Sequence, residues 1–420
     1  MRAIVLCGGR GTRIENLSQG LPKNLLQING KSILEYQLEC FEKCDFKEIY
    51  LIAGYGIEAL KQFVFNYKGR LQITIIRDDE QLGTGNAIKF CQDLIDDETF
   101  LVMGDLLIDF NFTEMLKENK GLDYQIICHT HPTDHIFDSD SVVLDDSGNI
   151  QEIVLKHSRS HRKINLALSG IFLLSRHFSQ WIRGKTNGDF TKDVLKRSLD
   201  SGIRIRNYRS ADFVKDLGTE ERFKNAIRLI DSNKYGGHHF KRPAIFLDRD
   251  GTINRINGYV KTENDLVLKS DAGEGIKALN HLGFLVFVVT NQPVVARGDI
   301  DITDLNRIHV YMEQLLSVES AFVDEIKFCP HHPDKGYAGE NIEFKVNCSC
   351  RKPGVDLITK LKDRYSIMMH GSWVVGDSWR DEKMARKLKI NFAKIIEQKP
   401  SNEDLEFNSL LEFANYLKEK

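Results

Sequence analysis

Short apolar runs alternate with amphipathic stretches along the chain, and this alternation is the first guide to its fold. The first three apolar runs are AIVLC (3–7), EIYLIAG (48–54) and ITIIRD (73–78). The segments between them have the spacing of amphipathic helices, one of which is expected near residues 32–43. Strands that alternate with helices predict an α/β fold built on a parallel sheet.

The alternation becomes less regular after FLVMG (100–104). There SVVLDDSGNIQEIVLK (141–156) predicts a β-hairpin, because apolar alternation on both sides flanks a cluster of turn-forming residues. The expected turn is formed by Asp146, Ser147, Gly148 and Asn149. A hairpin joins antiparallel strands, so the first sheet is expected to be mixed.

A polar, glycine-bearing segment, NKYGGHHFKRP, separates two series of strands and helices. It follows a helix expected at 220–232, and the second series then opens with AIFLD (244–248). This series continues with FLVFVVTN, a long helix at 302–318, EIKFCP, WVVGDSW and a helix near 405–419. Because 420 residues exceed what one hydrophobic core usually organises, we expect two domains. The predicted division is a domain at 1–230, a linker at 231–241 and a domain at 242–420 that includes the C-terminal helix.

Composition and charge narrow the class of protein without identifying it. The chain is 41% hydrophobic and 28% charged, with a net charge of −2 and a pI near 6.7. This balance offers no bulk attraction to nucleic acid or to an anionic membrane, so neither is expected as a partner. The N-terminal apolar run is too short for a signal peptide, and no run reaches the roughly 18 apolar residues of a membrane span. We therefore expect a cytoplasmic protein, and the sequence leaves oligomerisation open.

The first expected strand leads directly into a glycine-rich segment, LCGGRGTR (6–13). Its glycines would let backbone N–H groups approach phosphate oxygens, and Arg13 adds positive charge. Such a loop is a weak signal alone, because a glycine-rich turn is often only a tight connection. However, LPK (21–23) and GKSILEY (30–36) follow at short intervals, and this combination resembles the sugar-1-phosphate nucleotidyltransferases.

Later segments keep the order of that family, so the resemblance covers residues 1 to about 230. QLGTG (81–85) is similar to the loop that holds base and sugar, and LSGI (168–171) to a sugar-contacting turn. MGD (103–105) and VKDLGT (214–219) resemble the segments that carry two metal-binding aspartates. The implied substrate-binding residues are Gly8, Gly9, Gly11, Thr12, Gly83, Thr84, Lys156 and Gly170.

The chemistry of this family explains which residue types are needed. A sugar 1-phosphate oxygen attacks the α-phosphorus of a nucleoside triphosphate and pyrophosphate leaves, so charge must be neutralised on both phosphates. The resemblance implies that Lys23, Arg13 and a Mg²⁺ ion between Asp105 and Asp216 do this by position and charge. Outside that context the two aspartates could equally be helix caps or turn formers. The family usually has Glu-Lys-Pro where this chain has Leu155, Lys156 and His157, which leaves recognition of the sugar hydroxyls open.

The second series begins with FLDRDGT (246–252), in which a strand ends in two aspartates one residue apart. Carboxylates this close repel each other unless a cation lies between them, so Mg²⁺ is expected at Asp248 and Asp250. The segment resembles the haloacid-dehalogenase phosphohydrolases. That resemblance implies that Asp248 is the nucleophile and that Asp250 is the general acid and base.

The remaining motifs of that superfamily follow in order. VVTNQ would place Thr290 and Asn291 at the phosphoryl group, CRKP would supply Lys352, and VVGDSWRD would supply Asp377 to the metal with Asp381 in support. Two positions depart from the usual pattern. They are Pro293, in a segment that usually reads TNQSG, and Ser378, where lysine is common.

Three cysteines and a histidine lie between these motifs in the pairs C-x-H and C-x-C. Three sulfurs and an imidazole are a set that a tetrahedral structural zinc prefers. The four residues are Cys329, His331, Cys348 and Cys350. His332 is a competing ligand on spacing alone. The same pattern occurs in the D-glycero-D-manno-heptose 1,7-bisphosphate phosphatases, which implies that the first histidine binds and that zinc fixes the loop delivering Arg351 and Lys352 to a second phosphate.

Each half therefore carries its own acidic residues and phosphate-binding elements, and we predict two active sites. The resemblances imply two Rossmann-like three-layer α/β domains, one with a mixed nucleotidyltransferase sheet and one with a haloacid-dehalogenase-like parallel sheet and a zinc loop. A phosphatase that removes the 7-phosphate of heptose 1,7-bisphosphate leaves a sugar 1-phosphate, which the first half needs as nucleophile. LGTGNAI resembles the D-glycero-α-D-manno-heptose 1-phosphate guanylyltransferases, so GTP is the expected nucleotide and GDP-heptose the expected product.

Two alternatives remain open on the sequence. The chain could join a hexose 1-phosphate nucleotidyltransferase to a phosphatase of the histidinol-phosphate type. Alternatively, the second half could be a non-catalytic, zinc-stabilised interaction module.

Overall fold

The computed structural model describes residues 1–9, 14, 20–133, 139–145, 147–156, 166–184, 188–231, 241–336, 338–365, 367–396 and 405–420. Their mutual contacts group the described residues of 1–131, 139–156 and 167–231 into one compact unit, and Pro132, Thr133, Leu166 and the described residues of 241–420 into a second. Most of the expected linker lies outside the described residues, so its bounds stay a prediction.

Within the described residues of the first unit, nine strands form one mixed sheet. The strands of this half are β1 (Arg2–Leu6), β2 (Gln27–Ile28), β3 (Lys31–Ser32), β4 (Glu48–Ala53), β5 (Gln72–Arg77), β6 (Thr99–Met103), β7 (Leu106–Asp109), β8 (Ile126–Pro132), β9 (Ser141–Leu144), β10 (Ile150–Val154), β11 (Leu166–Leu174), β12 (Ile205–Arg209) and β13 (Phe213–Asp216). The main order is β10-β9-β11-β6-β1-β4-β5, with β8 beside β11 and β12 beside β8. β1 is parallel to β4 and β6, whereas β11 is antiparallel to β6. The expected mixed sheet is confirmed.

The hairpin expected at 141–156 is present as β9 and β10, which pair antiparallel with a bulge. In its turn Gly148 has a φ of 79°, a value that favours glycine. The Asp145 side chain accepts hydrogen bonds from the backbone N–H groups of Ser147 and Asn149. Asp146 lies outside the described residues.

The helices of the first unit flank this sheet. They are α1 (Ile33–Lys43), α2 (Ile57–Asn66), α3 (Thr84–Ala87), α4 (Phe112–Asn119), α5 (Arg176–Ile182), α6 (Lys196–Asp200) and α7 (Glu220–Asp231). α1 begins one residue later than expected because Ser32 is its N-cap. The Ser32 hydroxyl accepts from the Glu35 N–H and the Glu35 carboxylate accepts from the Ser32 N–H, which forms a capping box. The buried rings of Phe41, Phe46 and Phe112 pack together beneath this helix.

The second unit is built on a parallel sheet that contains six strands within the described residues. In the order of the sheet they are β16 (Glu325–Cys329), β15 (Leu285–Asn291), β14 (Ala244–Leu247), β17 (Trp373–Gly376), β18 (Asn391–Ile395) and β19 (Glu406–Phe407). The helices are α8 (Ala272–His281), α9 (Ile302–Val318), α10 (Asp356–Arg364), α11 (Trp379–Leu388) and α12 (Leu410–Glu419). The expected parallel α/β architecture is confirmed, and α9 has the predicted bounds. Across the described residues of both units, the helices are too short or too polar to cross a lipid bilayer.

The C-terminal helix expected near 405–419 is shorter than predicted. Its first five positions were assigned wrongly, because Glu406 and Phe407 form an edge strand instead. Phe407 is buried and pairs with Ile395 of β18. The helix starts only after Ser409, whose hydroxyl caps it by accepting from the Glu412 N–H.

Candidate active sites

The glycine-rich loop follows β1, at the edge where the parallel strands of the first sheet end. Among the described residues, the atoms nearest to the position that a Cβ would occupy at Gly8 belong to Asp78 and Gly54, both at 3.9 Å, and none lies within 4 Å of that position at Gly9. This space agrees with a loop that a phosphate could approach. Gly11, Thr12 and Arg13 lie outside the described residues, so their assigned roles stay predictions.

Asp105 lies in a two-residue connection, Gly104–Asp105, between β6 and β7. A Cβ at Gly104 would lie 2.6 Å from the Leu6 carbonyl oxygen, so only glycine allows this connection to pass over the end of β1. Lys23 Nζ lies 3.4 Å from Asp105 Oδ2, and both side chains are largely shielded from solvent. The structure therefore brings the predicted lysine to one of the two predicted metal-binding carboxylates.

Asp216 ends β13, which pairs antiparallel with β7 and places Asp216 opposite Leu106. A Cβ at Gly218 would lie 2.8 Å from Asp216 Oδ1 and 3.7 Å from Asp105 Oδ2, so the two carboxylates border the same small space. Burial and then the charge of Asp216 raise the pKa of Asp105, whereas Lys23 acts to lower it. Arg222 forms an ion pair with Asp216. Two oxygen donors that repel each other fit a divalent cation.

The loop expected to hold base and sugar is packed against Gly188. A Cβ at Gly83 would lie 2.6 Å from the Gly188 carbonyl oxygen, which accepts from the Gly85 N–H at 2.8 Å. The Thr84 hydroxyl accepts from the Phe190 N–H at 2.9 Å and donates to Asp189 at 3.4 Å. Thr84 therefore uses its hydroxyl to hold this loop, a role that the sequence did not predict.

Gly170 and Lys156 are the two residues predicted to contact the sugar. Gly170 has a φ of +88°, and a Cβ there would lie 2.9 Å from Met103 Cγ, so the turn requires glycine. The neighbouring Ser169 hydroxyl lies 2.8 Å from Nδ1 of the buried His129. Lys156 follows β10, and its backbone N–H donates to Asp140 Oδ1 at 2.7 Å.

In the second unit, Asp248 follows β14 at the carboxyl end of the parallel sheet. Lys352 Nζ lies 2.8 Å from Asp248 Oδ2 and 2.7 Å from Asp381 Oδ1, and its side chain is almost fully buried. Burial raises the pKa of Asp248 to about 7, with Lys352 opposing the shift and Asp381 adding to it. A phosphate or metal ion that binds here would therefore lie beside Lys352, which is already paired with the carboxylates of Asp248 and Asp381.

Asp377 completes a group of three carboxylates with Asp248 and Asp381, whose ligand atoms all lie within 4.8 Å of one another. Burial and the charge of Asp381 raise the pKa of Asp377. A Cβ at Gly251 would lie 2.3 Å from Asp377 Oδ2, so glycine is required beside this group. Three oxygens that repel one another fit a hard divalent cation, and Asp381, assigned only a supporting role from the sequence, stands among them. Ser378, at the position where lysine is common, donates to Asp381 Oδ2 at 2.5 Å.

The Asp250 carboxylate does not join that group, although the sequence placed it at the metal. The fully buried Arg249 donates to both of its oxygens at 2.9 and 3.0 Å, and Gln292 Nε2 donates to Oδ2 at 2.8 Å. Burial acts to raise the pKa of Asp250, but Arg249, Gln292 and Asn254 together leave it lowered. These contacts favour the ionised form of Asp250, which is the form that can accept a proton.

Thr290 and Asn291 end β15, the strand beside β14. Thr290 is buried, and its hydroxyl accepts from Gln292 Nε2 at 3.0 Å. Asn291 Oδ1 accepts from the Lys352 N–H at 2.9 Å, and Asn291 Nδ2 donates to the Lys352 carbonyl at 3.2 Å. The Asn291 side chain thus holds the backbone of Lys352, and its contact with a phosphoryl group stays a prediction.

The four predicted zinc ligands converge. Their donor atoms are separated by 3.2 Å (Cys350–Cys329 and Cys350–Cys348), 3.3 Å (His331–Cys350), 3.5 Å (Cys329–Cys348) and 3.6 Å (Cys329–His331). These separations are too long for disulfides and near the roughly 3.7 Å between ligands of a tetrahedral zinc. His332 instead accepts from the Asp334 N–H through Nδ1, so the first histidine is the one in the group.

The segment around these ligands is held by further buried polar contacts. Lys345, 1% exposed, donates to the Asp334 carbonyl at 2.7 Å and lies 3.1 Å from Glu340. Arg351 donates to the His331 carbonyl at 3.1 Å, directly before Lys352. The cysteine–histidine group is therefore coupled through a short run of chain to the lysine beside Asp248.

Sequence reasoning missed three side chains that organise the two sites. They are Arg249 and Gln292 in the second unit and Gln37 in the first. The sequence indicates Arg249, because a basic residue between two aspartates is well placed to form an ion pair with one of them. No sequence feature indicates Gln37, because its partners lie more than 60 residues away in the chain.

Comparisons with known proteins find relatives of two kinds. Residues 2–233 match the family model described as nucleotidyl transferase. The chain is 38% identical over 150 residues to the D-glycero-beta-D-manno-heptose-1,7-bisphosphate 7-phosphatase of Rhodopseudomonas palustris, covering 36% of this chain and 81% of that protein. It is 34% identical over 183 residues to the phosphatase of the same name from Photorhabdus laumondii, covering 42% of this chain and 95% of that protein. Among solved structures, HddC from Yersinia pseudotuberculosis is 22% identical with a TM-score of 0.47, covering 55% of this chain and 99% of that chain.

Proposed function

Since the chain belongs to the nucleotidyl transferase family and also to the family of the heptose 1,7-bisphosphate 7-phosphatases, we propose that it catalyses two successive steps towards a nucleotide-activated heptose. The second unit removes the 7-phosphate of D-glycero-D-manno-heptose 1,7-bisphosphate. The first unit then transfers GMP from GTP to heptose 1-phosphate, giving GDP-heptose and pyrophosphate. The observation that carries this proposal is the presence of two separate carboxylate groups, each paired with its own lysine.

In the phosphatase step, Asp248 attacks the 7-phosphorus, and a bond from its Oδ to phosphorus forms as the bond to the heptose oxygen breaks. Asp250 must be protonated for this step, and because its pKa is lowered without substrate, it takes up the proton as the anionic phosphate binds beside it and then gives that proton to the departing oxygen. It then takes a proton from the water that attacks the aspartyl phosphate, which releases phosphate and regenerates Asp248. Lys352 balances charge beside Asp248. Mg²⁺ held by Asp248, Asp377 and Asp381 would add positive charge for the phosphate oxygens.

In the transferase step, an oxygen of heptose 1-phosphate attacks the α-phosphorus of GTP and the bond to the β-phosphate oxygen breaks. No protein nucleophile is needed, so the residues act by position and charge. Lys23 and the amides of the glycine loop would neutralise phosphate charge. Mg²⁺ held by Asp105 and Asp216 would supply the remaining positive charge. The resemblance of LGTGNAI to the guanylyltransferases supports GTP as the nucleotide.

We further propose that zinc occupies the group formed by Cys329, His331, Cys348 and Cys350. The support is the donor set and the separation of its atoms. Four protein ligands leave no open position, so this zinc would be structural. The cytoplasmic location and any self-association stay predictions.

The decisive experiment is incubation of the full chain with heptose 1,7-bisphosphate and each of the four nucleoside triphosphates, with identification of products by mass. We expect GDP-heptose, with one phosphate and one pyrophosphate released per molecule, and only with GTP present. Preferential release of phosphate from histidinol phosphate would favour the hexose alternative. Phosphate release that is unchanged by Asp248→Asn would favour a non-catalytic second half.

A further inference from the structure

Gln37 lies in the middle of α1 and is fully buried. Its Nε2 donates to the Met103 carbonyl at 3.0 Å and to the Leu106 carbonyl at 2.9 Å. Met103 is the last residue of β6 and Leu106 the first of β7. The Gln37 carboxamide therefore donates a hydrogen bond to each of the two residues that flank the Gly104–Asp105 connection.

Few other contacts fix this connection. The Gly104 N–H donates to the Leu6 carbonyl at 3.1 Å, and the Asp105 carbonyl accepts from the Leu217 N–H at 3.0 Å. Gly104 itself has no side chain to restrict its conformation. Gln37 adds side-chain hydrogen bonds to the two carbonyls that flank this connection. Its loss would leave the position of Asp105 to those two backbone hydrogen bonds and to the contact of its carboxylate with Lys23.

Stability alone does not explain an amide at this position. Leu34, Leu38 and Phe41 on the same helix are buried in the apolar core. Gln37 Oε1 is also buried, and within the part of the chain that the structure describes it has no hydrogen-bond partner. Burial of an unsatisfied polar atom destabilises the fold, and an apolar side chain would avoid that cost at Oε1.

We propose that Gln37 is a positioning residue of the transferase site. It fixes the Gly104–Asp105 connection so that the Asp105 carboxylate faces Asp216 and Lys23, and it thereby sets the affinity of this pair for a divalent cation. The inference rests on the proposed function in one respect, that Asp105 and Asp216 bind such a cation.

The direct test is binding of Mn²⁺ followed by electron paramagnetic resonance. Asp377→Asn is included in every variant so that the carboxylate group of the second unit does not dominate the titration. In this background we expect Gln37→Met, which keeps length and burial, to weaken Mn²⁺ binding about tenfold. The matched control is Leu38→Ala, which disturbs the same helix without removing a hydrogen bond and should change the affinity less than about twofold.

The kinetic test uses the same pair of changes in the otherwise unaltered chain. Gln37→Met should lower kcat for pyrophosphate release roughly 10- to 100-fold, with little change in KM for the sugar phosphate. Phosphate release by the same chain should stay unchanged and serves as an internal reference. Equal Mn²⁺ affinity and equal kcat in Gln37→Met and Leu38→Ala would overturn the inference.

A second variant covers the case in which Gln37→Met does not fold. Gln37→Glu cannot donate to the two carbonyls when ionised, but a neutral carboxyl can donate to one of them. Burial raises the pKa of such a carboxyl, so activity relative to the wild type should rise as the pH falls from about 8 to about 6. A flat ratio would contradict the inference. Absence of pyrophosphate release in the wild type would refute the proposed function instead, and the Mn²⁺ titration would still decide the role of Gln37.

Discussion

At the scale of single residues, substitutions of Asn291 can show whether it positions Lys352 or binds substrate. Its side-chain amide forms two hydrogen bonds with the backbone of Lys352. Asn291→Ala removes both contacts, so we expect a loss of phosphatase kcat of roughly 10- to 100-fold with a smaller change in KM. Asn291→Asp keeps the acceptor and loses the donor, and it should give an intermediate loss. Steady-state kinetics of phosphate release check this order.

The opposite kinetic result has an equally clear meaning. If Asn291→Ala raised KM and left kcat unchanged, the direct phosphoryl contact expected from the sequence would be the better assignment. Pyrophosphate release by the same variants should not change, since Asn291 contacts residues of its own unit.

The raised pKa of Asp248 predicts a pH dependence of stability in zinc-loaded, magnesium-free protein. Its folded-state pKa of about 7 lies above the ordinary value near 3.9. The folded chain therefore holds a proton that the unfolded chain loses, so the free energy of unfolding decreases as pH rises from about 4 to about 7 and is level above that. The melting temperature of the phosphatase half should fall by roughly 8–16 °C more in the wild type than in Asp248→Asn over this range, since a pKa unit is worth about 1.4 kcal/mol and each kcal/mol about 2–4 °C.

Saturating Mg²⁺ should reverse this trend, because the cation binds the ionised carboxylates and stabilises the fold more as they lose protons. An identical pH profile for Asp248→Asn and the wild type in the absence of Mg²⁺ would contradict the assignment of the shift to Asp248.

Three of the aspartates predicted at the two sites have the same place relative to the sheets. Asp105, Asp248 and Asp377 follow strands, and the carboxyl ends of parallel strands meet at one edge of a sheet. The contacts of Gln37 and Thr84 could not be predicted, because each joins segments far apart in the chain that no local pattern relates. A local motif thus predicts which side chain lies at a site. The residues that position this side chain depend on long-range packing, which no local motif contains.

At the scale of elements, strands and long helices followed from apolar periodicity, and the C-terminal segment shows where periodicity fails. Residues 405–409 contain two apolar side chains, which fit the start of an amphipathic helix as well as a short strand. The free edge of β18 decides between them, since it pairs with Glu406 and Phe407. The sequence of that short segment contains no information about the edge.

Removal of zinc tests the role proposed for the cysteine–histidine loop. Loss of zinc would free the chain before Arg351 and Lys352, so we expect phosphate release to fall at least about tenfold. Pyrophosphate release should stay within about twofold. Both activities can be measured on one sample after chelation and return of Mg²⁺ alone.

Substitution gives an independent form of the same prediction. Cys350→Ser removes one ligand, and Ser349→Ala changes the neighbouring residue without touching the ligand set. Only the first should reproduce the effect of chelation. Equal loss of both activities on zinc removal would contradict a role confined to the second unit.

At the scale of the whole molecule, each carboxylate group is assembled within one compact unit. Asp105→Asn should therefore abolish pyrophosphate release and spare phosphate release, and Asp248→Asn should do the reverse. Assays of each partial reaction with its own substrate check this. Loss of both reactions in either variant would contradict the two-site assignment.

The two single variants also allow a test of how the steps are joined. Asp105→Asn can still convert the bisphosphate to heptose 1-phosphate, and Asp248→Asn can still use heptose 1-phosphate with GTP. Since the intermediate is a small, charged and freely diffusing molecule, an equimolar mixture of the two variants should form GDP-heptose from the bisphosphate at a rate near half that of the same total concentration of wild type, once the intermediate has accumulated. A mixture that forms none, although each variant performs its own step, would mean that the intermediate must pass between the two sites of one chain.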